Sequence, residues 1–253
     1  MIMRTSIVSF LIIVLATLWG CSSSPKVEKE VRHPELTVQI ASLNLSNYIK
    51  KIEKKHIIEL AHALKKEQVE AIAVQGIVRY PGINSRVDFV GELSKQLDWR
   101  NEFGEMMFIS GRQTGNAIFS FYPILSHFNQ TFDGLKSSDF NAALEATIDV
   151  GVRPLVLVST ELPNKASDKD LMYCMNTIAD LNPETNNPVT IVSGNLPSAE
   201  SIHTTKTFSD ISTAKRIPTK FWFSDNPALE CLSTRIIETE LGTVVVAQFG
   251  LYR

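Results

Sequence analysis

Between Met106 and Leu162 five strand-forming runs follow in quick succession: MMFIS, GNAIFSFYPI, SHFNQTF, ALEATIDVG and PLVLVSTEL. Gly, Asp and Pro turns separate them, and no stretch of helical period intervenes. Neighbouring strands without crossover helices pair antiparallel, so a doubly wound parallel sheet is not expected. Helical patterns sit on either side of this block. LTVQIASLN (36–44) reads as an opening strand, followed by a helix over Tyr48–Glu67 with Ile49, Ile52, Ile57, Leu60, Ala61 and Leu64 on one stripe. EAIAVQ (70–75) is a second buried strand, and a helix follows near Val87–Leu97. A helix over Asp168–Leu181 leads into the strand PVTIVSGN (188–195). Three more strands, near Lys220–Ser224, Leu232–Thr239 and in TVVVAQFGL, close the chain. Paired strands between early and late helices fit two packed sheets flanked by helices.

With 253 residues, 44% of them hydrophobic, the chain is long enough to bury one substantial core. Its 25 basic and 27 acidic side chains leave no cationic surplus, so a protein built around polyanion binding is not expected and nucleic acid is not an expected partner. Lys50, Lys51, Lys54 and Lys55 on the first helix read as a solvated face rather than an anion patch.

The amino terminus adds an address. Arg4 precedes the apolar run IVSFLIIVLATLW (7–19), which is short for a membrane span and has the layout of a secretory signal. Leu18-Trp19-Gly20-Cys21 resembles the bacterial lipoprotein signal, with Trp19 a departure from its small-residue pattern. The resemblance implies a signal peptide over 1–20, lipidation of Cys21, a tether over 21–35 and a domain over 36–253. A lipid bilayer is then a partner through Cys21, and the location is the cell envelope. Ser22 favours the outer membrane, facing the periplasm or the cell surface. Of the other two cysteines, Cys174 and Cys231 either form a disulfide or serve as small buried hydrophobes.

The order of turns along the domain resembles the endonuclease/exonuclease/phosphatase superfamily, the DNase-like fold. ASLN supplies Asn44 where the family's first strand ends in Asn; IAVQG supplies Gln75-Gly76 where it has Gln-Glu. GNAIFSFYPI, with Asn116, echoes a Gly-Asn-Ala-Ile strand followed by Ser-x-x-Pro-Ile. STEL places Glu161 where the family has His, and TIVSGNLPS places Asn195 and Pro197 at the Asp and Asn of Gly-Asp-x-Asn. TEL places Glu240-Leu241 where the family closes with Asp-His, and Lys220 falls near a family Asp by a looser alignment. The resemblance implies an α/β fold, a four-layer α/β/β/α sandwich of two mainly antiparallel sheets flanked by helices.

It also implies a chemistry that these residues have lost. Family members hydrolyse phosphoric esters with a divalent cation, usually magnesium, which needs carboxylate ligands and a base for water. Gly76 offers no ligand, and the Asn195 amide cannot take a proton. The degenerate cleft positions are Asn44, Gln75, Gly76, Glu161, Asn195 and Glu240, with no catalytic residue among them. The expectation is therefore a membrane-anchored, non-catalytic binding or scaffolding module. Its partner would be a cell-envelope protein or a phosphate- or sugar-containing ligand, held by Asn44, Asn116 and Asn195; Arg112 could join them but reads first as a solvated turn residue of SGRQTGN. KFWFSD reads as a strand with both faces apolar, in which Trp222 is a candidate docking residue only if it points outward. The alternative is a rewired magnesium-dependent phosphodiesterase or phosphatase, with Glu161 and Glu240 as metal ligands and His203 as a weak candidate base.

Overall fold

Strand β1 (Leu36–Asn44) is paired along both edges, antiparallel to β12 (Gly242–Leu251) and parallel to β2 (Ala71–Arg79). The computed structural model describes residues 32–46, 52–79, 87–132, 142–162, 167–180, 188–196, 208–211 and 219–253. Pro34–Arg253 forms one compact unit. Cys21, Pro197, His203 and the signal-like run lie outside the described residues.

The remaining strands are β3 (Arg100–Ile109), β4 (Arg112–Ser120), β5 (Ile124–Thr131), β6 (Ala142–Asp149), β7 (Pro154–Glu161), β8 (Val189–Asn195), β9 (Phe208–Ile211), β10 (Lys220–Ser224) and β11 (Leu229–Thr239). They form two six-stranded sheets, in the orders β11-β12-β1-β2-β4-β3 and β5-β6-β7-β8-β10-β9. Each sheet holds one parallel pair, β1–β2 and β7–β8, and is otherwise antiparallel. Both parallel pairs are joined through a helix, as parallel neighbours require.

The helices α1 (Lys54–Lys66) and α2 (Phe89–Leu97) lay Ile57, Leu60, Leu64, Phe89 and Leu93 on the first sheet, against Ile72, Val74, Phe119, Val244 and Val246. Helix α3 (Asp168–Asp180) lays Cys174, Met175 and Ile178 on the outer face of the second sheet, against Val156, Val158, Val192 and Trp222. Between the sheets lie Val38, Ile40, Leu155, Leu157, Val189, Ile191, Phe221, Val245, Ala247 and Phe249. The layers are α/β/β/α, as the motif order implied.

One local expectation, the start of the first helix, is corrected, and others left open are decided by placement. Ile52 and Glu53 precede α1 rather than lie within it: Glu53 is extended, and its N–H donates to His56 Nδ1 at 3.2 Å, so the helix starts at Lys54. Of the first-helix lysines, Lys54 pairs with Glu92 at 3.0 Å and Lys55 with Glu53 at 3.2 Å. Trp222 does not point outward to a partner; it is 1% exposed and stacks near Phe208 beneath α3. In KFWFS the strand alternation sends Phe221 between the sheets and Trp222 to the other face, where the helix covers it. Cys174 and Cys231 are both free thiols, one on α3 and the other on β11 of the opposite sheet.

Candidate functional site: the inter-sheet cleft

The space between the sheets changes character along the strands. Towards the starts of β1, β2, β7 and β8 it is apolar; towards their carboxyl ends it turns polar, because alternate inward positions become Ser42, Gln75, Ser159 and Ser193. All four are wholly buried. The Ser193 hydroxyl donates to Ser42 Oγ, and Ser42 donates to Gln75 Oε1 at 3.4 Å. Gln75 Nε2 then donates to Ser159 at 3.1 Å and back to Ser193 at 3.4 Å, while Ser159 Oγ donates to the Val74 carbonyl at 3.3 Å. The two sheets are thus joined by a ring of uncharged groups, each giving another a partner it would otherwise lack in the dry interior.

One layer further out lie the positions that the sequence marked. Asn44 is in register with Gln75, and Glu161 with Asn195. Asn116, fully buried on β4, accepts from the Gly76 N–H at 3.4 Å and donates to the carbonyls of Ala142 and Ser159 at 3.1 and 3.2 Å. The amide of Asn44 is occupied locally: its Oδ1 accepts the Ser46 N–H at 2.9 Å, an Asx turn that folds the chain back over the end of the strand. That turn carries the Ser46 hydroxyl onto the carboxylate of Glu161, which is 5% exposed.

Gly76 is the hinge of this corner. It sits in a bulge of β2, where the pairing with β4 shifts between Val74 and Ile77, and its φ is +68°. A Cβ there would overlap the Ser46 hydroxyl and lie 2.6 Å from the Ser46 nitrogen. Ser46 therefore occupies the space into which a longer residue at position 76 would project. Gly194, at φ +153°, is similarly constrained, since a Cβ would overlap the Thr160 carbonyl across the parallel pair.

Not every predicted position joins this cluster. Glu240 is exposed in the β11–β12 turn, beyond the Leu43–Val244 pair at the same end of the sheet, whereas Glu161 is buried between the sheets. Arg112 is exposed at the β3–β4 hairpin, four residues before Asn116, and Lys220 lies opposite Gly194. Among the described residues no group of three or more His, Cys, Asp and Glu is placed to hold a metal ion. A hard divalent cation takes six or more oxygen ligands with charge among them. Among the described residues the inner cleft offers one carboxylate, already accepting the Ser46 hydroxyl, beside the engaged amides of Asn44 and Asn116, a donor set poor in charge for that ion.

Sequence reasoning missed Ser42, Ser46, Ser159 and Ser193. A signal for three of them is present: SLN, STE and SGN each carry a serine two residues before a marked position, hence on the same face of the strand.

No family model matches the chain, and no curated protein matches it. Solved structures do. An endonuclease/exonuclease/phosphatase from Beutenbergia cavernae is similar over 85% of this chain and 72% of its own, with TM-score 0.64 and 12% identity. An endonuclease/exonuclease/phosphatase family protein from Leptotrichia buccalis is similar over 83% and 98%, with TM-score 0.62 and 15% identity. TDP2 from Caenorhabditis elegans is similar over 86% and 75%, with TM-score 0.64 and 11% identity. At such identities the likeness is one of architecture. The domain has the DNase-like fold of the endonuclease/exonuclease/phosphatase superfamily, as the motif order implied.

Proposed function

We propose that the protein is a lipid-anchored component of the cell envelope whose DNase-like domain serves as a non-catalytic binding or scaffolding module. The observation that carries this reading is the corner formed by Gly76, Ser46 and Glu161. Residue 76 has no side chain and no room for one, and the Ser46 hydroxyl that fills the space donates to the Glu161 carboxylate. Asn195 supplies an amide where a base is required, so water placed there keeps its proton. Anchoring rests on the sequence around Cys21, with the bilayer as partner and the outer membrane as the favoured location. A cell-envelope protein or a phosphate- or sugar-containing ligand is the class of partner that fits an envelope module without a basic surplus.

The test is a phosphodiesterase and phosphomonoesterase assay on the purified protein with magnesium or manganese. Turnover at background is expected. Metal-dependent turnover that disappears in Asn195→Ala would overturn the non-catalytic reading in favour of a rewired hydrolase. Anchoring is tested separately by metabolic fatty-acid labelling, which is expected for the intact chain and lost in Cys21→Ser.

A further inference from the structure

The end of the domain opposite the cleft carries an unusual turn. Residues 121–125, Phe-Tyr-Pro-Ile-Leu, join β4 of one sheet to β5 of the other, where polar residues would be the norm. Two of them are turned to solvent: Phe121 is 64% exposed and Leu125 58%. Leu125 falls where the β5–β6 register shifts between Ile124 and Ser126, and such a bulge re-aims its side chain.

The turn is held from both sheets. The Phe121 N–H donates to the Glu70 carbonyl at 2.8 Å and the Asp149 N–H to the Pro123 carbonyl at 2.9 Å. The Tyr122 hydroxyl donates to Glu70 Oε1 at 2.7 Å, and the Tyr122 ring stands edge-on to Phe121 with centroids 5.4 Å apart. An apolar tip on so braced a turn is presented rather than left over from packing. Phe121 also walls a groove of about 590 Å³ that runs to Thr37, Gln39, Lys65 and Trp99. Arg100, exposed, is the register partner of Ser120 and flanks the turn.

The chain enters the domain at this same end. Pro34 lies two residues before β1, and Thr37, three residues further on, lines the groove. The thirteen residues from Cys21 to Pro34 span at most about 45 Å when fully extended. That ceiling allows either end of the domain to meet a membrane, so the surface chemistry decides between them. The cleft end offers a single exposed aromatic, Phe108, near Arg112 and Glu240; the entering end offers two apolar tips, Phe121 and Leu125, on one braced turn beside Arg100. Aromatic and aliphatic tips beside Arg are the combination that settles at a headgroup boundary. Asp98 and Glu70 also line the groove, so apolar contact rather than attraction to anionic lipid is the driving term.

We infer that the β4–β5 turn is a bilayer-contact surface, with Phe121 and Leu125 seated in the headgroup region and the inter-sheet cleft held away from the membrane. The inference rests on the lipid anchoring proposed above, and the test separates the two. Full-length lipidated protein in vesicles of phosphatidylethanolamine and phosphatidylglycerol carries a nitroxide at Phe121→Cys, Leu125→Cys or Arg112→Cys, each in a Cys231→Ser background. Flotation with the vesicles, lost in Cys21→Ser, reports the anchor; relative accessibility to oxygen and to a nickel chelate reports depth. The expected result is an oxygen-to-nickel ratio several-fold higher at 121 and 125 than at 112. Flotation with all three sites equally aqueous overturns the contact surface and leaves the anchor standing. Failure to float overturns both.

Discussion

The Ser46 hydroxyl donates to the Glu161 carboxylate across the two sheets, 115 residues away along the chain. The contact exists because Asn44 turns the chain back at the end of β1 and because residue 76 has no Cβ. Each of these conditions can be tested alone.

Gly76→Ala forces an L-residue into the left-handed region and drives a methyl into Ser46. Strain and overlap together cost about 3 kcal/mol or more, which for a domain of this size lowers Tm by about 10 °C. Differential scanning calorimetry reads the shift. Gly76→Glu is expected to be at least as destabilising, with magnesium-dependent turnover still at background; a gain of turnover would show that the Ser46 corner opens readily.

A double-mutant cycle on Ser46→Ala and Glu161→Gln measures the corner itself. A hydroxyl donating to a buried carboxylate should give a coupling of about 1.5–3 kcal/mol by urea denaturation. A coupling near zero would mean that the contact contributes no stability.

Gln75→Glu places an ionisable group in a ring of hydroxyls. Burial disfavours its charged form, so its folded pKa is raised above the unfolded value of about 4.3. Such a group leaves stability intact below the unfolded pKa and erodes it as pH rises. The deficit relative to wild type should therefore be small near pH 4 and several-fold larger at pH 7, as read from urea midpoints. A deficit independent of pH would show that the site is wet or supplies a cation.

The two thiols should react slowly and unequally. Burial, with Asp170 adding to it, pushes the Cys174 thiol up to about 11, and burial also raises Cys231. At pH 8 roughly one part in a thousand of Cys174 is thiolate. Alkylation followed by peptide mass spectrometry should label Cys231 first and Cys174 only after unfolding, and no linked peptide should be found. Labelling of Cys174 at the rate of a free thiol would show that α3 opens locally.

The strands were legible where alternation was long: LTVQIASLN and KFWFS match β1 and β10 residue for residue. Strand β9 was not, because FSDI is four residues long and carries no period to read. The helix start was misplaced because Ile52 continues the apolar stripe and still packs against the core although it precedes α1. At the site, the chain alone shows that residue 76 is a glycine with no side chain to offer. What packs against it is not legible there: Ser46 is an ordinary turn residue until the fold brings Glu161 beside it. The side taken by Trp222 is open in the sequence because a run of three aromatics says nothing of which face a helix will cover.

The position of β1 has a mechanical consequence. Any pull delivered through Pro34 loads a strand in the interior of its sheet, paired with β12 over eight residues and with β2 over five. Drawn along its own axis, β1 cannot be peeled one pair at a time; both ladders resist in shear and must give way together. A domain towed by its amino end is thus gripped at one of its strongest seams, and thermal fraying at the outer strands β11 or β3 would leave the towing point intact.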